Sequence, residues 1–188
     1  MKKIKACALA AAVALALTAC GSRGNAHTSA NNGDGSATSA VQKADSTRDE
    51  PRIEFSMTDI DGKEVNVTDE FAKHKITVID FWASWCGPCM QEMPNLVRIY
   101  GKYKDKGLGI VGVSLDEDKS QWTEAVSSMG MVWTQLSDLQ GWNNSAARKY
   151  GIQAIPFTVV VDSTGKVLDA GLRGEQLETE IAKLLGDK

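Results

Sequence analysis

The sequence predicts an α/β domain in which helices flank a central mixed β-sheet. Apolar, strand-like runs alternate with helix-like segments along residues 51–188, which is the pattern of an α/β fold. A hairpin pattern surrounds Asp61-Gly62 near the start of this region, and a second one surrounds residues 162–165 near its end. Hairpins pair antiparallel strands, whereas helical connections join parallel ones, so the sheet should contain both kinds of pairing.

Two apolar runs supply the buried strands. Residues 76–82 form a continuous apolar segment that contains one acid, Asp80, as expected of a central strand covered on both faces. Residues 108–115 have the same apolar character. The hairpin strands are predicted at residues 53–57 and 63–67 on the N-terminal side, and at residues 157–161 and 167–170 on the C-terminal side.

Four segments have helical character. The first, residues 88–103, follows the central strand, and Pro94 should interrupt or kink it. The last, residues 175–185, places its leucine and isoleucine side chains on one face. Two shorter helices are expected between them, over residues 119–129 and 144–150.

The N-terminal part of the chain differs in character from the domain. Residues 1–19 combine three lysines with a short apolar run, which is the layout of a secretory signal. Leu17-Thr18-Ala19-Cys20 resembles a bacterial lipobox, which implies cleavage before Cys20 and a lipid on that cysteine. An ordinary signal peptide, cut near Ala19 with Cys20 left free, is the alternative. The following residues, 20–50, are rich in Gly, Ser, Asn, Ala and Thr, and we predict a flexible tether.

Cysteine usage and charge restrict the function of the mature chain. With Cys7 removed and Cys20 acylated, Cys86 and Cys89 are the remaining thiols of the four cysteines. The pair is therefore predicted to be reactive and not part of a structural framework. Removing three of the 21 basic residues leaves 18 against 24 acidic ones, a net charge near −6. The absence of a basic run argues against nucleic-acid binding and leaves the lipid as the means of membrane attachment.

Trp85-Cys86-Gly87-Pro88-Cys89 stands between the central strand and the first long helix. A thiolate is the attacking species in disulfide exchange, and a helix N-terminus favours negative charge on Cys86. Cys89, one turn further along, is placed to attack the mixed disulfide and release it. Pro88 suits the first helical turn, and Gly87 lets a partner's backbone approach. The alternatives are an inert disulfide and a zinc half-site, but zinc needs four ligands and the sequence offers too few.

Residues 80–89, DFWASWCGPC, resemble the active-site segment of thioredoxins. Ile155-Pro156 falls where that fold places a cis-proline opposite the disulfide. The resemblance covers the chain from about residue 51 to its end. The added N-terminal hairpin and Glu92-Met93-Pro94 are more similar to the membrane-tethered thiol-disulfide oxidoreductases of the TlpA/ResA type. A thioredoxin-like fold is therefore implied, with an extra hairpin at its N-terminus.

The resemblance also implies roles for single residues. Asp80 matches the buried acid that helps to move the proton of the resolving thiol, where many TlpA/ResA-type proteins have Asn. Glu92 matches an acid near the cysteines of the tethered proteins, and a solvated helix residue is the alternative. Pro156, if cis, leaves the backbone of Ile155 free to pair with an extended substrate. Trp85 should cover part of the active-site surface.

The dipeptide between the cysteines bears on the direction of exchange. Gly-Pro is the thioredoxin dipeptide, and no histidine is present there to stabilise the thiolate as in strong oxidants. We therefore expect a reductase, in which Cys86 attacks a disulfide of a client protein and Cys89 releases the reduced client. This chemistry needs no cofactor or metal, and we expect a monomer.

The resemblance further implies a membrane electron donor that recharges the protein. The lipid implies attachment to the cell envelope on its periplasmic side, and the choice between inner and outer membrane stays open.

Three alternatives would use the same residues differently. A disulfide oxidase or isomerase would share the cysteines and differ in reduction potential. A thiol peroxidase of the redoxin family would share the fold and Pro94, but Cys86 lacks the Pro-x-x-x-Thr-x-x-Cys context of a peroxidatic cysteine. A tethered binding module would keep the fold as a scaffold, and the intact Cys86, Cys89 and Pro156 argue against it.

Overall fold

A five-stranded mixed sheet lies at the centre of the protein, whose computed structural model describes residues 51–187. The strands are β1 (Ser56–Thr58), β2 (Glu64–Asn66), β3 (Ile76–Trp82), β4 (Leu108–Ser114), β5 (Thr134–Leu136), β6 (Phe157–Asp162) and β7 (Val167–Ala170). The helices are α1 (Val67–Phe71), α2 (Gly87–Tyr103), α3 (Lys119–Ser128), α4 (Ser145–Lys149) and α5 (Gly174–Leu185), with 3-10 turns at Lys104–Lys106 and Gly141–Asn143.

The strand order of the main sheet is β5-β4-β3-β6-β7. β3 pairs in parallel with β4, and β4 with β5, whereas β6 is antiparallel to both β3 and β7. The turn between β6 and β7 is closed by the Gly165 N–H, which donates to the Asp162 carbonyl (3.0 Å). β1 pairs with β2 in the added N-terminal hairpin. The predicted mixed sheet flanked by helices, with its extra hairpin, is therefore confirmed.

Burial explains why β3 occupies the centre of the sheet. All seven of its side chains are buried, because both faces of the sheet are covered. β4 is buried along its whole length in the same way. Each fully buried Val, Ile or Phe contributes roughly 1.5–3 kcal/mol of hydrophobic stabilisation. Asp80 is the one charged residue in β3, so the fold brings a carboxyl group into an apolar core.

The sequence predicts that Pro94 interrupts or kinks the first long helix. An interruption is wrong, because α2 runs as one helix from Gly87 to Tyr103, and a kink at Pro94 stays a prediction. Pro94 is exposed. On the exposed side of the helix, water can bind the carbonyl that lacks an N–H partner because proline has none. The unbroken helix keeps one buried stripe against the core, which consists of Cys89, Met93, Leu96, Ile99 and Tyr103.

The N-terminal hairpin is shorter than the sequence indicates, and two short elements have no counterpart in the predictions. The hairpin strands occupy Ser56–Thr58 and Glu64–Asn66 and not residues 53–57 and 63–67. Asn66 ends the second strand because its Oδ1 accepts a hydrogen bond from the Thr68 N–H (3.1 Å) and caps α1, the first unpredicted element. The second is β5, whose three residues are too few to show a period.

The predicted signal peptide of residues 1–19, the lipidation of Cys20 and the tether of residues 20–50 lie outside the described residues. The described part begins beside the turn between β6 and β7, where the Pro51 carbonyl accepts a hydrogen bond from the Val167 N–H (3.0 Å). Within residues 51–187, no helix is both long enough and apolar enough to span a membrane.

Candidate active site

Two loops lie side by side at one end of the central strands β3 and β6. β3 and β6 are antiparallel, with Phe81 opposite Phe157, so the loop that follows β3 lies beside the loop that precedes β6. The first loop leads to Cys86, and the second contains the Ile155–Pro156 peptide bond, which is cis. The topology of the sheet therefore places Cys86 and Pro156 in neighbouring loops, although they are far apart in the sequence.

The two cysteines occupy the start of α2. Cys86 is the N-cap residue, and its Sγ accepts a hydrogen bond from the Cys89 backbone N–H (3.2 Å). The two residues are joined by a disulfide bond. Cys86 is 6% exposed and Cys89 is 1% exposed, so an external sulfur reaches Cys86 first. Unpaired N–H groups at the helix start stabilise a thiolate there, and Pro88 in the first turn has no N–H that would need a partner.

The surface around Cys86 is open. Trp85 is 53% exposed, and a Cβ added at the exposed Gly87 would meet no atom of the described chain within 4 Å. Ile155 is half-buried, and within residues 51–187 neither its N–H nor its carbonyl oxygen has a hydrogen-bond partner. Space and unpaired backbone groups are thus available beside the disulfide, and the substrate-binding roles of these residues stay predictions.

Asp80 lies near the middle of β3 and is 2% exposed. Its Oδ1 has no hydrogen-bond partner in the described part of the chain. Burial first, and the negative charge of Glu92 second, raise the pKa of Asp80 from 3.8 to about 7. Glu92, whose charge acts on Asp80, lies one turn beyond Cys89 in α2. A carboxyl group with such a pKa can accept or return a proton near neutral pH.

Glu92 is half-buried and joins α2 to α5. Its Oε1 accepts hydrogen bonds from the Gly174 N–H (2.8 Å) and from Asn95 Nδ2 (2.8 Å). Gly174 is the first residue of α5, and the preceding Arg173 provides no side-chain cap, so the carboxylate of Glu92 occupies the position that favours an anion. Glu92 is therefore not a freely solvated residue, and its part in catalysis stays a prediction.

Sequence reasoning missed a second buried carboxylate beside the cysteine loop. Asp116, 1% exposed, follows β4. Its oxygens accept hydrogen bonds from the Ser84 N–H (3.1 and 3.2 Å), the Ser84 Oγ (2.6 Å) and the Ser114 Oγ (2.6 Å). Since Ser84 belongs to the loop that leads to Cys86, Asp116 fixes that loop to the end of β4. Two residues further along the chain, Asp118 is the N-cap of α3.

Asp80, Gly112 and Gln135 are paired across the neighbouring strands β3, β4 and β5. Gly112 of β4 pairs with Asp80 on one side and with Gln135 of β5 on the other. A Cβ on Gly112 would collide with the Gln135 side chain, which extends over this glycine so that its Oε1 accepts a hydrogen bond from Trp82 Nε1 (3.2 Å). Trp82 is therefore a fully buried core residue with its polar atom satisfied.

No grouping of three or more His, Cys, Asp or Glu side chains suited to a metal ion exists within residues 51–187. The chemistry available at the site is that of the two sulfurs and the carboxyl group of Asp80. A thiol pair at a helix start, an adjacent cis-proline and a buried acid together fit thiol-disulfide exchange.

Comparisons with known proteins agree with this chemistry. The redoxin family matches residues 19–185 of the chain. The thiol-disulfide oxidoreductase ResA of Bacillus thuringiensis subsp. konkukian is 30% identical over 131 residues, which are 70% of this chain and 72% of that protein. The thiol:disulfide interchange protein HelX of Rhodobacter capsulatus is 35% identical over 108 residues, which are 57% of this chain and 58% of HelX.

A solved structure supports the same assignment. The thiol-disulfide oxidoreductase from Bacteroides fragilis NCTC 9343 superimposes with a TM-score of 0.66 and is 29% identical, covering 71% of this chain and 98% of that chain. The predicted thioredoxin-like fold is thereby confirmed. The chain belongs to the redoxin family, and it is a thiol-disulfide oxidoreductase of the TlpA/ResA type.

Proposed function

We propose that the protein reduces disulfide bonds of client proteins on the periplasmic side of the cell envelope, where a lipid on Cys20 attaches it to a membrane. Two observations support the proposal: Cys86 is the N-cap residue of α2, and the buried Asp80 of the preceding strand has a pKa of about 7. Gly87 and Pro88 form the dipeptide of thioredoxin, whose reduction potential of about −270 mV is reducing. Strong oxidants have a histidine between their cysteines that stabilises the thiolate, and this chain has no histidine there.

In the first step, the Cys86 thiolate attacks one sulfur of the client disulfide. The client S–S bond breaks, a mixed disulfide with Cys86 forms, and the second client sulfur leaves as a thiolate that takes up a proton from water. The N–H groups at the start of α2 stabilise the attacking thiolate. The unpaired backbone groups of Ile155 hold the client segment in an extended conformation.

In the second step, Asp80 accepts the proton of the Cys89 thiol, and the resulting thiolate attacks the Sγ of Cys86. The mixed disulfide breaks, and the remaining client sulfur leaves as a thiolate and is protonated. The client has gained two electrons and two protons, and the protein holds the Cys86–Cys89 disulfide. The charge of Glu92 assists by keeping the pKa of Asp80 high enough to accept that proton.

A membrane electron donor then returns two electrons to the disulfide, as the family resemblance implies. Within the described residues, Pro51 lies at the β6–β7 turn, whereas Cys86 follows the opposite end of the sheet. The tether predicted for residues 20–50 would have a root-mean-square reach of roughly 30 Å as a random coil.

The test is a Cys89→Ser variant of the full chain, produced in cells of a bacterium that exports it. Without the resolving thiol, Cys86 should hold clients as mixed disulfides that dithiothreitol releases and mass spectrometry identifies. A variant with both Cys86→Ser and Cys89→Ser is the matched control and should capture nothing. Equal capture by the two variants would refute the assigned order of attack.

A measured reduction potential tests the direction. Equilibration of the wild type with glutathione should give a value close to that of thioredoxin, about −270 mV. A value near about −120 mV, that of a strong oxidant, would contradict the reductase and favour the oxidase.

A further inference from the structure

Two exposed tryptophans lie next to each other beside the disulfide. Trp85 is 53% exposed and Trp142 is 47% exposed, and their ring centroids are 6.3 Å apart with the planes tilted by 53°. Trp85 directly precedes Cys86, whereas Trp142 comes from the 3-10 turn after β5. The other large apolar side chains exposed within residues 51–187 are Val132 and Leu168, both aliphatic. Exposed aromatic surface is thus concentrated where exchange takes place, which indicates a binding surface.

The segment that carries Trp142 is held firmly although its tip is exposed. Asn144 is fully buried and donates from Nδ2 to Asp138 Oδ1 (3.0 Å). The other oxygen of Asp138 accepts a hydrogen bond from the Ser145 N–H (2.8 Å). Leu139 has a φ of 56°, a left-handed conformation that costs energy for a side chain of this size. Such strain persists only where surrounding contacts determine the conformation, and it is frequent at functional sites.

Both tryptophans are positioned from the same point, the end of β4. The Ser114 carbonyl accepts a hydrogen bond from Ser137 Oγ (3.0 Å), at the start of the segment that carries Trp142. The Ser114 hydroxyl donates to Asp116 (2.6 Å), which holds Ser84 next to Trp85. The common anchorage of Trp142 and Trp85 indicates that the two rings form one preset surface.

We propose that Trp142 is a specificity-determining residue of the exchange reaction. Together with Trp85 it receives an apolar or aromatic side chain of an extended client segment, close in sequence to the client cysteine that Cys86 engages. Trp85 directly precedes Cys86 in the chain, and the unpaired backbone of Ile155 lies in the neighbouring loop. This inference deepens the proposed function, rests on exchange with protein clients, and does not depend on the direction of electron flow.

The test compares the wild type with Trp142→Ala and Trp142→Phe, and uses Val132→Ala as a control for loss of an exposed apolar side chain. The substrates are two disulfide peptides that differ only in Phe or Ser beside the cysteine, and hydroxyethyl disulfide as a small substrate. Exchange rates are measured by acid quenching and chromatography in both directions. In one direction the reduced protein reacts with the oxidised peptide, and in the other the oxidised protein reacts with the reduced peptide. Trp142→Ala should slow exchange with the Phe peptide by about three- to tenfold and leave the other two substrates unchanged.

Trp142→Phe should restore most of the rate with the Phe peptide, and Val132→Ala should behave as the wild type. An equal loss with all three substrates would overturn the inference, because Trp142 would then act on the cysteine chemistry. No loss with the Phe peptide would overturn it as well. In either case the wild type still exchanges with peptides, so the proposed function survives. A wild type that reacts with hydroxyethyl disulfide and with neither peptide would refute the proposed function and this inference together.

Discussion

Asp80 and Asp116 are two buried carboxylates that flank the same active-site loop and differ in their partners. Asp80 is 2% exposed and Asp116 is 1% exposed. Asp116 accepts hydrogen bonds from the backbone and hydroxyl of Ser84 and from the hydroxyl of Ser114. The Oδ1 of Asp80 has no hydrogen-bond partner within residues 51–187, and burial together with the charge of Glu92 raises the pKa of Asp80 to about 7.

The difference shows what a buried carboxylate can do in each setting. Burying a charge is costly unless hydrogen bonds or an opposite charge compensate it. At Asp116 the donors compensate the charge, and the residue serves as an anchor for the cysteine loop. At Asp80 the compensation is missing, so the group changes its protonation state near neutral pH, as the proposed proton transfer from Cys89 requires. Stability and proton transfer are thus assigned to two different acids.

The largest expected effect concerns the pH dependence of stability at Asp80. Between about pH 4 and about pH 7 the folded protein keeps a proton on Asp80 that the unfolded chain has released. The contribution of Asp80 to the free energy of unfolding therefore falls by about 4 kcal/mol as the pH rises through this window, and it stays low above it. Asp80→Asn should lack this decrease. Urea unfolding of the oxidised proteins from pH 4 to pH 8 measures the difference.

The oxidised form is used so that the thiols do not titrate. Asp80→Asn also changes hydrogen bonding, which shifts the variant's free energy of unfolding by the same amount at every pH. The decisive quantity is therefore the slope of the free energy of unfolding against pH. Parallel pH profiles for wild type and variant would mean that Asp80 is charged in the folded protein throughout, and the contrast with Asp116 would disappear.

A smaller loss is expected when Asp116 is removed. Asp116→Ala leaves the Ser84 N–H, the Ser84 hydroxyl and the Ser114 hydroxyl without their acceptor, and should lower the free energy of unfolding by about 3 kcal/mol. Chemical denaturation at pH 7 measures the loss. Asp118→Ala removes a nearby exposed carboxylate that only caps α3, and it should cost less. If the two variants are equally stable, Asp116 does not anchor the loop.

The two acids also differ in how far the sequence reveals them. Asp80 could be predicted because a single acid in an apolar strand is a local anomaly, and the cysteines could be predicted because their spacing and the preceding strand are adjacent in the chain. The role of Asp116 depends on Ser84, which is 32 residues earlier and comes close only because β3 pairs with β4. Trp142 was missed for the same reason, since its neighbour Trp85 belongs to another loop. Contacts made by the assembled sheet have no signature in a single sequence.

The smallest expected effect comes from Glu92, which contributes less than burial to the raised pKa of Asp80. Glu92→Gln removes the charge and keeps an oxygen that can accept the hydrogen bonds of Gly174 and Asn95. The pKa of Asp80 should therefore fall below about 7 and remain above 3.8, because burial is unchanged. Carbon-13 NMR of the Asp80 carboxyl group in the oxidised protein measures it.

Glu64→Gln is the matched control, since it removes one negative charge at an exposed position of the N-terminal hairpin and should leave the pKa of Asp80 unchanged. In the reduced protein, the pH at which exchange becomes fast should move downward in Glu92→Gln, because Asp80 is then free to accept the Cys89 proton at lower pH. A pKa of Asp80 that falls all the way to its ordinary value would mean that the charge of Glu92, and not burial, distinguishes Asp80 from Asp116. An unchanged pKa would instead assign Glu92 to the capping of α5 alone.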